Sequence, residues 1–155
     1  IYDRIVGEIL SVKFNESSER VYDEWMDEFV DFHKQLMQHN IDDVISYKDF
    51  LKMFATDEET IAKINALADG DCFIHGDLYL ENVMLDQNNQ WVLIDMMNVC
   101  KGTELYDVAR IYFLLSYDSN IQRKYLEKMG YSVEDIMPYL DVILRVRENE
   151  MSCIY

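Results

Sequence analysis

Asp77, Asn82 and Asp95 are a carboxylate, a carboxamide five residues later and a second carboxylate thirteen residues beyond that. Phe73-Ile74 precede the first, Val83-Met84-Leu85 follow the second, and Trp91-Val92-Leu93-Ile94 lead into the third. Such a set suits phosphoryl transfer, which asks little covalent chemistry of a protein. The reaction needs metal ions held in place, a carboxylate that orients an attacking hydroxyl and takes its proton, and exclusion of water. Asp77, at the exposed start of the loop, is the candidate base. Asn82, at the loop's end, offers a neutral amide oxygen, and Asp95 a carboxylate, to Mg2+, which prefers hard oxygen ligands and completes its shell with water and phosphate oxygens. Without a cation the two carboxylates repel; at about 5 Å and an effective dielectric of about 20 the cost is roughly 3 kcal/mol. His75 and Gly76 stand just before the base. Gly76 permits a backbone conformation or a close approach that a side chain would block. His75 takes a structural role, orienting the loop through its ring nitrogens. A plain His-Gly-Asp turn would explain that tripeptide alone, but not Asn82, Asp95 and the flanking apolar runs together.

These side chains need a scaffold. Residues 72–74, 83–85 and 91–94 read as short apolar strands, and Asp86-Gln87-Asn88-Asn89-Gln90 as the turn of a hairpin between the last two. Upstream the pattern is helical. Val21, Trp25, Phe29, Phe32 and Leu36 recur at three- and four-residue steps along a helix over residues 18–39, with Ser17 or Ser18 as its cap. His33 and His39 fall in that helix and are assigned to packing or the surface rather than to a metal. A shorter helix is expected over 43–54. Thr56 with Glu59 forms a capping box for another, which runs to Ala68 and stops at Asp69-Gly70-Asp71. Downstream, Gly102-Thr103 ends the loop that follows Asp95, and Tyr106, Ala109, Ile111, Tyr112 and Leu115 mark the next helix. Residues 121–129 continue helical to Gly130. Ser132 with Asp135 caps a last helix through Arg147, with Pro138 as a kink site. Residues 1–6 read as one strand broken at Gly7, with no strand nearby to pair with. No repeat or linker divides residues 1–155, so one domain is expected. Its class is α+β, mostly helical, around a small hairpin.

Composition narrows the partners. The net charge of −16 argues against nucleic acid and against an anionic membrane, both of which call for Lys and Arg. An acidic cleft would concentrate a cationic small molecule, although the same charge also serves solubility. No run of 18 apolar residues occurs that could span a bilayer. Half of the residues are apolar, with one Pro and five Gly, as in a folded domain rather than a disordered one. Cys72, Cys100 and Cys153 lack zinc spacing. An odd count without a secretory signal points to reduced thiols and a cytoplasmic setting, and Cys72 reads as a small core residue. The chain opens on Ile1 rather than Met, as a fragment of a longer protein would.

The larger pattern resembles a known family. His75-Gly76-Asp77, Asn82, Ile94-Asp95, Gly102 and Tyr106-Asp107-Val108-Ala109-Arg110 are similar to the signature of the aminoglycoside phosphotransferase and choline kinase superfamily. Gly76, where protein kinases carry Arg, points to the small-molecule branch. The resemblance implies the C-terminal lobe of a protein-kinase-like fold, with the hairpin carrying the catalytic and metal-binding loops. It implies ATP and Mg2+, with Asp77 as catalytic base and Asn82 and Asp95 as magnesium ligands. Asp107 would be a buried aspartate bracing the catalytic loop. Ile5, Val6 and Gly7 would lie at the hinge, where the family holds its adenine. The acceptor would be a hydroxyl of an aminoglycoside, choline or a sugar-like compound, bound against C-terminal helices made acidic by Asp118, Glu127, Glu134, Asp135, Asp141, Glu148 and Glu150. The segment Met96 to Lys101 departs from the family's usual residues after the second aspartate. No glycine-rich loop or strand lysine for the nucleotide phosphates precedes Ile1, so the chain is expected to lack the N-terminal lobe and to be inactive alone. The alternative is a non-catalytic, pseudokinase-like lobe that binds a partner, or a second copy of itself, through the surface where the first lobe would dock.

Overall fold

Where the sequence period changes at residue 72, helices give way to strands. The computed structural model describes residues 7–10 and 19–152. The strand expected over 1–6, with Ile5 and Val6, lies outside them, as does the proposed Ser17 or Ser18 cap. Gly7 does not break a strand but begins one. Strand β1 (Gly7–Ile9) pairs antiparallel with β3 (Val83–Asp86), Gly7 opposite Asp86 and Ile9 opposite Met84. A Cβ on Gly7 would sit 2.0 Å from the Leu85 carbonyl oxygen, so the missing side chain is what lets the two backbones meet. The expected hairpin forms: β3 pairs with β4 (Trp91–Leu93), Val83 opposite Leu93 and Leu85 opposite Trp91. Its turn is held by the Asp86 carboxylate, whose Oδ1 accepts from Asn88 N at 2.7 Å and Gln90 N at 2.8 Å, an aspartate acting through its own neighbouring backbone.

A second, two-stranded sheet joins β2 (Cys72–Ile74) to β5 (Cys100–Gly102), antiparallel, Ile74 opposite Cys100. The sequence reading left 100–102 in a loop. Three residues with a central lysine show no alternation to detect, and the pairing rests on backbone bonds.

Helix α1 (Glu19–Met37) is long and two-sided. Its buried line is Met26, Phe29, Val30, His33 and Met37. The stripe expected from the sequence is displaced to one edge: Trp25, Phe32 and Leu36 are only partly buried. The reason is the hairpin. Trp91 of β4 lies 5.2 Å from the Phe32 ring, 6.0 Å from Trp25 and 6.4 Å from Phe29, so the helix splits its aromatics between the core and the hairpin. His39 lies beyond the helix, exposed, in the turn that follows. Its carbonyl accepts the Phe73 amide at 2.7 Å and so places β2.

Helix α2 is Tyr47–Lys52, shorter than expected because Asp43 has φ +59, which no right-handed helix accommodates. Helix α3 is Glu58–Ala66. Its cap is Asp57, not Thr56: Asp57 Oδ1 accepts from Thr60 N at 2.7 Å, and Thr60 Oγ1 donates to Asp57 Oδ2 at 2.8 Å. Thr56 Oγ1 instead accepts from Asn149 Nδ2 at 3.2 Å. Helices α4 (Glu104–Leu114), α5 (Ser119–Met129) and α6 (Val133–Ser152) complete the description. Gly130, φ +85, ends α5, and the Ser132–Asp135 box opens α6, which runs on through Pro138. α4 packs on α5 and α6, α1 on α5, and α3 on α6. The two small sheets thus rest on a helical body, with the loops after β2 and β4 between them.

Candidate active site

The loop leaving β2 alternates inward and outward. His75 and Gly76 are buried, Asp77 is partly exposed, Leu78 buried, Tyr79 half-buried and Leu80 buried. The buried leucines anchor the loop by burial of apolar area, about 1.5–3 kcal/mol for a fully buried side chain. Asp77 and Tyr79 are left facing outward. A single 3-10 turn, Leu80–Asn82, then brings Asn82 back under Asp77. The Asn82 Nδ2 group donates to the Asp77 carbonyl at 2.9 Å and to its carboxylate at 3.1 Å. With those donors engaged, the free coordinating atom of Asn82 is its amide oxygen.

Asp95 reaches the same place through Ile94. The Ile94 amide donates to the Asn82 carbonyl at 3.0 Å. The Ile94 carbonyl accepts from His75 Nε2 at 3.1 Å, which requires the tautomer protonated at Nε2. The backbone of this one residue, through two consecutive peptide groups, thereby ties the start of the loop, its end and the strand that delivers Asp95. Asp95 itself is exposed and has φ +57, a left-handed conformation that aspartate tolerates better than most residues but that is uncommon outside glycine. Gly76 also has positive φ, +78, and a Cβ there would lie 2.5 Å from the Asn98 carbonyl oxygen. The loop is therefore packed against the segment that follows Asp95.

Helix α4 supports this loop from below. Arg110, buried, donates from Nε to the Gly76 carbonyl at 3.0 Å, and its Nη2 lies 4.0 Å from Asp77 Oδ1. Asp107, three residues earlier, is buried too, but its recorded hydrogen bond runs to α1: His33 Nε2 donates to Asp107 Oδ2 at 2.9 Å. The other ring nitrogen of His33 then accepts from the Tyr125 hydroxyl at 3.0 Å. Burial holds the Tyr125 phenol well above its usual value, with the Asp107 charge adding to it, so it stays a donor. α1, α4 and α5 are pinned together by this chain. Among the described residues, His75 Nδ1 and Asp107 Oδ1 are buried without a hydrogen-bond partner.

The structure thus brings Asp77, Asn82 and His75 into one bonded unit, with Asp95 one residue from it. Gly7 lies in β1, against β3. The sequence reading gave no site role to Arg110, His33 or Ile94, although it quoted the first and last in the family signature and assigned His33 to packing or the surface, and His33 is buried. An arginine on the buried side of α4, one turn from Asp107, was the available signal for the first. The other two act through contacts with distant segments or through backbone atoms.

The residues suit Mg2+. One amide oxygen and one exposed carboxylate are the sparse donor set this ion takes when substrate phosphates and water fill the rest. Among the described residues no cluster of three or more His, Cys, Asp or Glu is placed to hold a metal. Cys72 and Cys100 are free thiols; burial pushes Cys100 up to about 12 and raises Cys72 as well, which disfavours the thiolate form.

A hairpin-borne aspartate, an asparagine tied to a loop aspartate and a helical support define the C-terminal lobe of a protein-kinase-like fold. The family model "Phosphotransferase enzyme family" matches residues 27–134, and the chain belongs to that family. No curated protein matches the sequence. Among solved structures, a streptomycin–ATP ternary complex of APH(2")-IIa is 17% identical with TM-score 0.56, over 92% of this chain and 59% of that one. A gentamicin complex of APH(2")-IIa is 18% identical with TM-score 0.56, over 100% of this chain and 63% of that one. The fold is shared, and the chain spans about three-fifths of those proteins.

Proposed function

We propose that this chain is the catalytic lobe of an ATP-dependent phosphotransferase that moves the γ-phosphate to a hydroxyl of a small molecule. The acceptor is an aminoglycoside, choline or a sugar-like compound, and the acidic charge of −16 favours a cationic one. The observation that carries this reading is the Asn82–Asp77 pair, with Nδ2 at 3.1 Å from the carboxylate. It holds one partly exposed carboxylate in place and leaves the Asn82 amide oxygen unengaged by that bond, which supports the roles of acceptor base and cation ligand.

In this reading Asp77 orients the acceptor hydroxyl and receives its proton as the acceptor oxygen bonds to the γ-phosphorus and the bond to the departing ADP oxygen breaks. Asn82 and Asp95 hold Mg2+, which when bound offsets the negative charge of the phosphates. His75 and Gly76 hold the loop's shape, and Asp107 braces the lobe through His33. The nucleotide-binding hinge would include Ile5, Val6 and Gly7. Solved relatives of the fold bind ATP with streptomycin, or gentamicin, which supports the substrate pair proposed here. Among the described residues no helix is long and apolar enough to cross a membrane. A cytoplasmic setting without membrane or nucleic-acid partners is part of the proposal.

The second reading is a non-catalytic lobe that binds a partner or a second copy. It draws on Met97, 86% exposed beside Asp95, and on Met96, 48% exposed. One experiment separates the two: Mg-ATP consumption across aminoglycosides, choline and sugars, by the protein that contains this chain, wild type against Asp77→Ala. Acceptor-dependent turnover that the substitution abolishes supports the first reading. Equal turnover by both proteins removes Asp77 as the base, and no turnover with any acceptor favours the second.

A further inference from the structure

Helix α6 has two apolar faces. Ile136, Tyr139, Val142, Ile143 and Val146 are buried, on the side where α6 packs against α4 and α3. Val133, Met137, Leu140 and Leu144 form a second line, at steps of four, three and four residues. At about 100° per residue these four fall within roughly 60° of one another, so they share one side of the helix. Met137 is 50% exposed, Leu144 54% and Val133 36%, and Leu140 is half-buried between them. An outer helix face is ordinarily polar. An apolar line at alternating steps of four and three is instead the seam by which one helix takes another, knobs into holes. At its start the seam opens into a cavity of about 410 Å3, which Val133 lines together with Tyr112, Leu126 and Tyr131. At its other end the next step is Arg147, which closes the apolar line.

Charge decides what the seam can take. Glu134, Asp141 and Glu148 repeat at seven-residue steps along one flank. Asp141 already pairs with Lys63 at 2.8 Å and with Arg145 at 3.1 Å, so the outward charge of this flank belongs to Glu134 and Glu148, both exposed. The opposite flank is turned into the body, since Ile136 and Ile143, its own seven-residue pair, are buried. A second copy laid antiparallel on the seam would set carboxylates against carboxylates; laid parallel, it would offer them no basic flank. An anionic bilayer is disfavoured by the same two charges. A helix with Lys or Arg beside its apolar line matches both the seam and its flank.

We propose that α6 docks a basic amphipathic helix of another protein along Val133, Met137, Leu140 and Leu144, with Glu134 and Glu148 facing its cations. The seam asks nothing of Asp77, Asn82 or Asp95, so the proposal stands apart from the phosphotransfer reading.

The probe is a fluorescein-labelled peptide of about 21 residues, roughly three heptads, with Leu at the two seam positions of each heptad and Lys flanking them; its own like charges keep it from pairing with itself. Its counterpart carries Glu for Lys. Both are titrated with the 155-residue chain by fluorescence anisotropy at about 0.15 M salt, with circular dichroism to establish that each variant is folded. The Lys peptide should bind at least about tenfold more tightly than the Glu peptide. Met137→Ser with Leu144→Ser, both at exposed positions, should weaken it by on the order of tenfold or more. Glu134→Lys with Glu148→Lys should reverse the preference between the peptides. Glu28→Lys with Asp31→Lys makes the same change of net charge at exposed positions of α1 and should leave the Lys peptide's affinity unchanged within about threefold. Equal binding of the two peptides, undiminished binding by folded Met137→Ser with Leu144→Ser, an equal loss in the two charge-reversed variants, or no binding by folded wild type overturns the proposal. So does a dimer in sedimentation that Met137→Ser with Leu144→Ser dissolves, since a second copy would then occupy the seam.

Discussion

Asn82 divides its side chain between two tasks. Its amide hydrogens fix Asp77 and its oxygen is left over, which is why an asparagine suits the position better than a second aspartate: a carboxylate there would repel Asp77 and donate nothing. Arg110 makes a comparable division, touching the Gly76 carbonyl with Nε while Nη2 stands 4.0 Å from Asp77. A lysine carries the charge but has no planar fork to reach both. Arg110→Lys is therefore expected to lower kcat by on the order of tenfold to a hundredfold, through misplacement of Asp77. The KM for nucleotide should be unchanged, since the contact is on the loop's underside. Steady-state kinetics with both substrates varied checks the split; an equal rise in KM would assign Arg110 to nucleotide binding instead.

At the scale of elements, the helices are joined by polar pins as well as by apolar contact. Tyr125→Phe keeps the ring but leaves His33 Nδ1 buried without its donor, at a cost of about 1–3 kcal/mol. Urea denaturation of the variant measures it, and a loss under 0.5 kcal/mol, about the scale of a surface substitution, would show that the triad is not under strain when opened. The α3 cap responds to acid. The Thr60 backbone and side-chain hydrogen bonds hold the Asp57 carboxyl below its ordinary 3.8. A group with a lowered folded value contributes fully above its unfolded value, and the contribution fades as pH falls through the folded one. Below pH 3.8, wild type should lose melting temperature faster than Asp57→Asn, which has no charge to protonate; parallel curves would remove the cap from the acid response.

Much of this level was legible in the sequence, because helices and hairpins announce themselves locally. The hairpin followed from apolar runs around Asp86-Gln87-Asn88-Asn89-Gln90, and the α6 start from Ser132 with Asp135. The cap of α3 was misread by one residue because Asp57 and Thr56 are both good caps, and only the Asn149 contact, 93 residues away, draws Thr56 off. The same limit hid the site's supports. Asp77, Asn82 and Asp95 lie close in sequence, so their spacing could be read there. His33 meets Asp107 across 74 residues and Tyr125 across 92, and no periodicity encodes a contact of that span.

For the whole molecule, the acidic surface is partly tied down. Lys124 pairs with Asp23 at 2.7 Å between α5 and α1, and Arg145 with Glu59 at 2.9 Å between α6 and α3. Such exposed pairs are worth little singly and leave the net charge at −16. Glu127, Asp135 and Asp141, expected to face an acceptor, are engaged with Arg123, Ser132, and Lys63 with Arg145. The five glycines are dispersed along the sequence, so the 155 residues hold no glycine-rich loop for phosphates. They are expected to bind Mg-ATP only weakly; calorimetry giving a Kd on the order of 1 μM, about 8 kcal/mol of binding, would contradict this.

The joint at Ile94 has a consequence for how the protein can be dissected. Its contribution to the loop is made by an amide and a carbonyl, while its aliphatic side chain makes neither bond. Replacing side chains one at a time would pass over it, and a tolerant result at position 94 would be mistaken for irrelevance. Replacing the Ile94 amide by an ester removes the donor to Asn82 without altering the side chain, and turnover with that backbone edit reads what no exchange of the twenty side chains isolates.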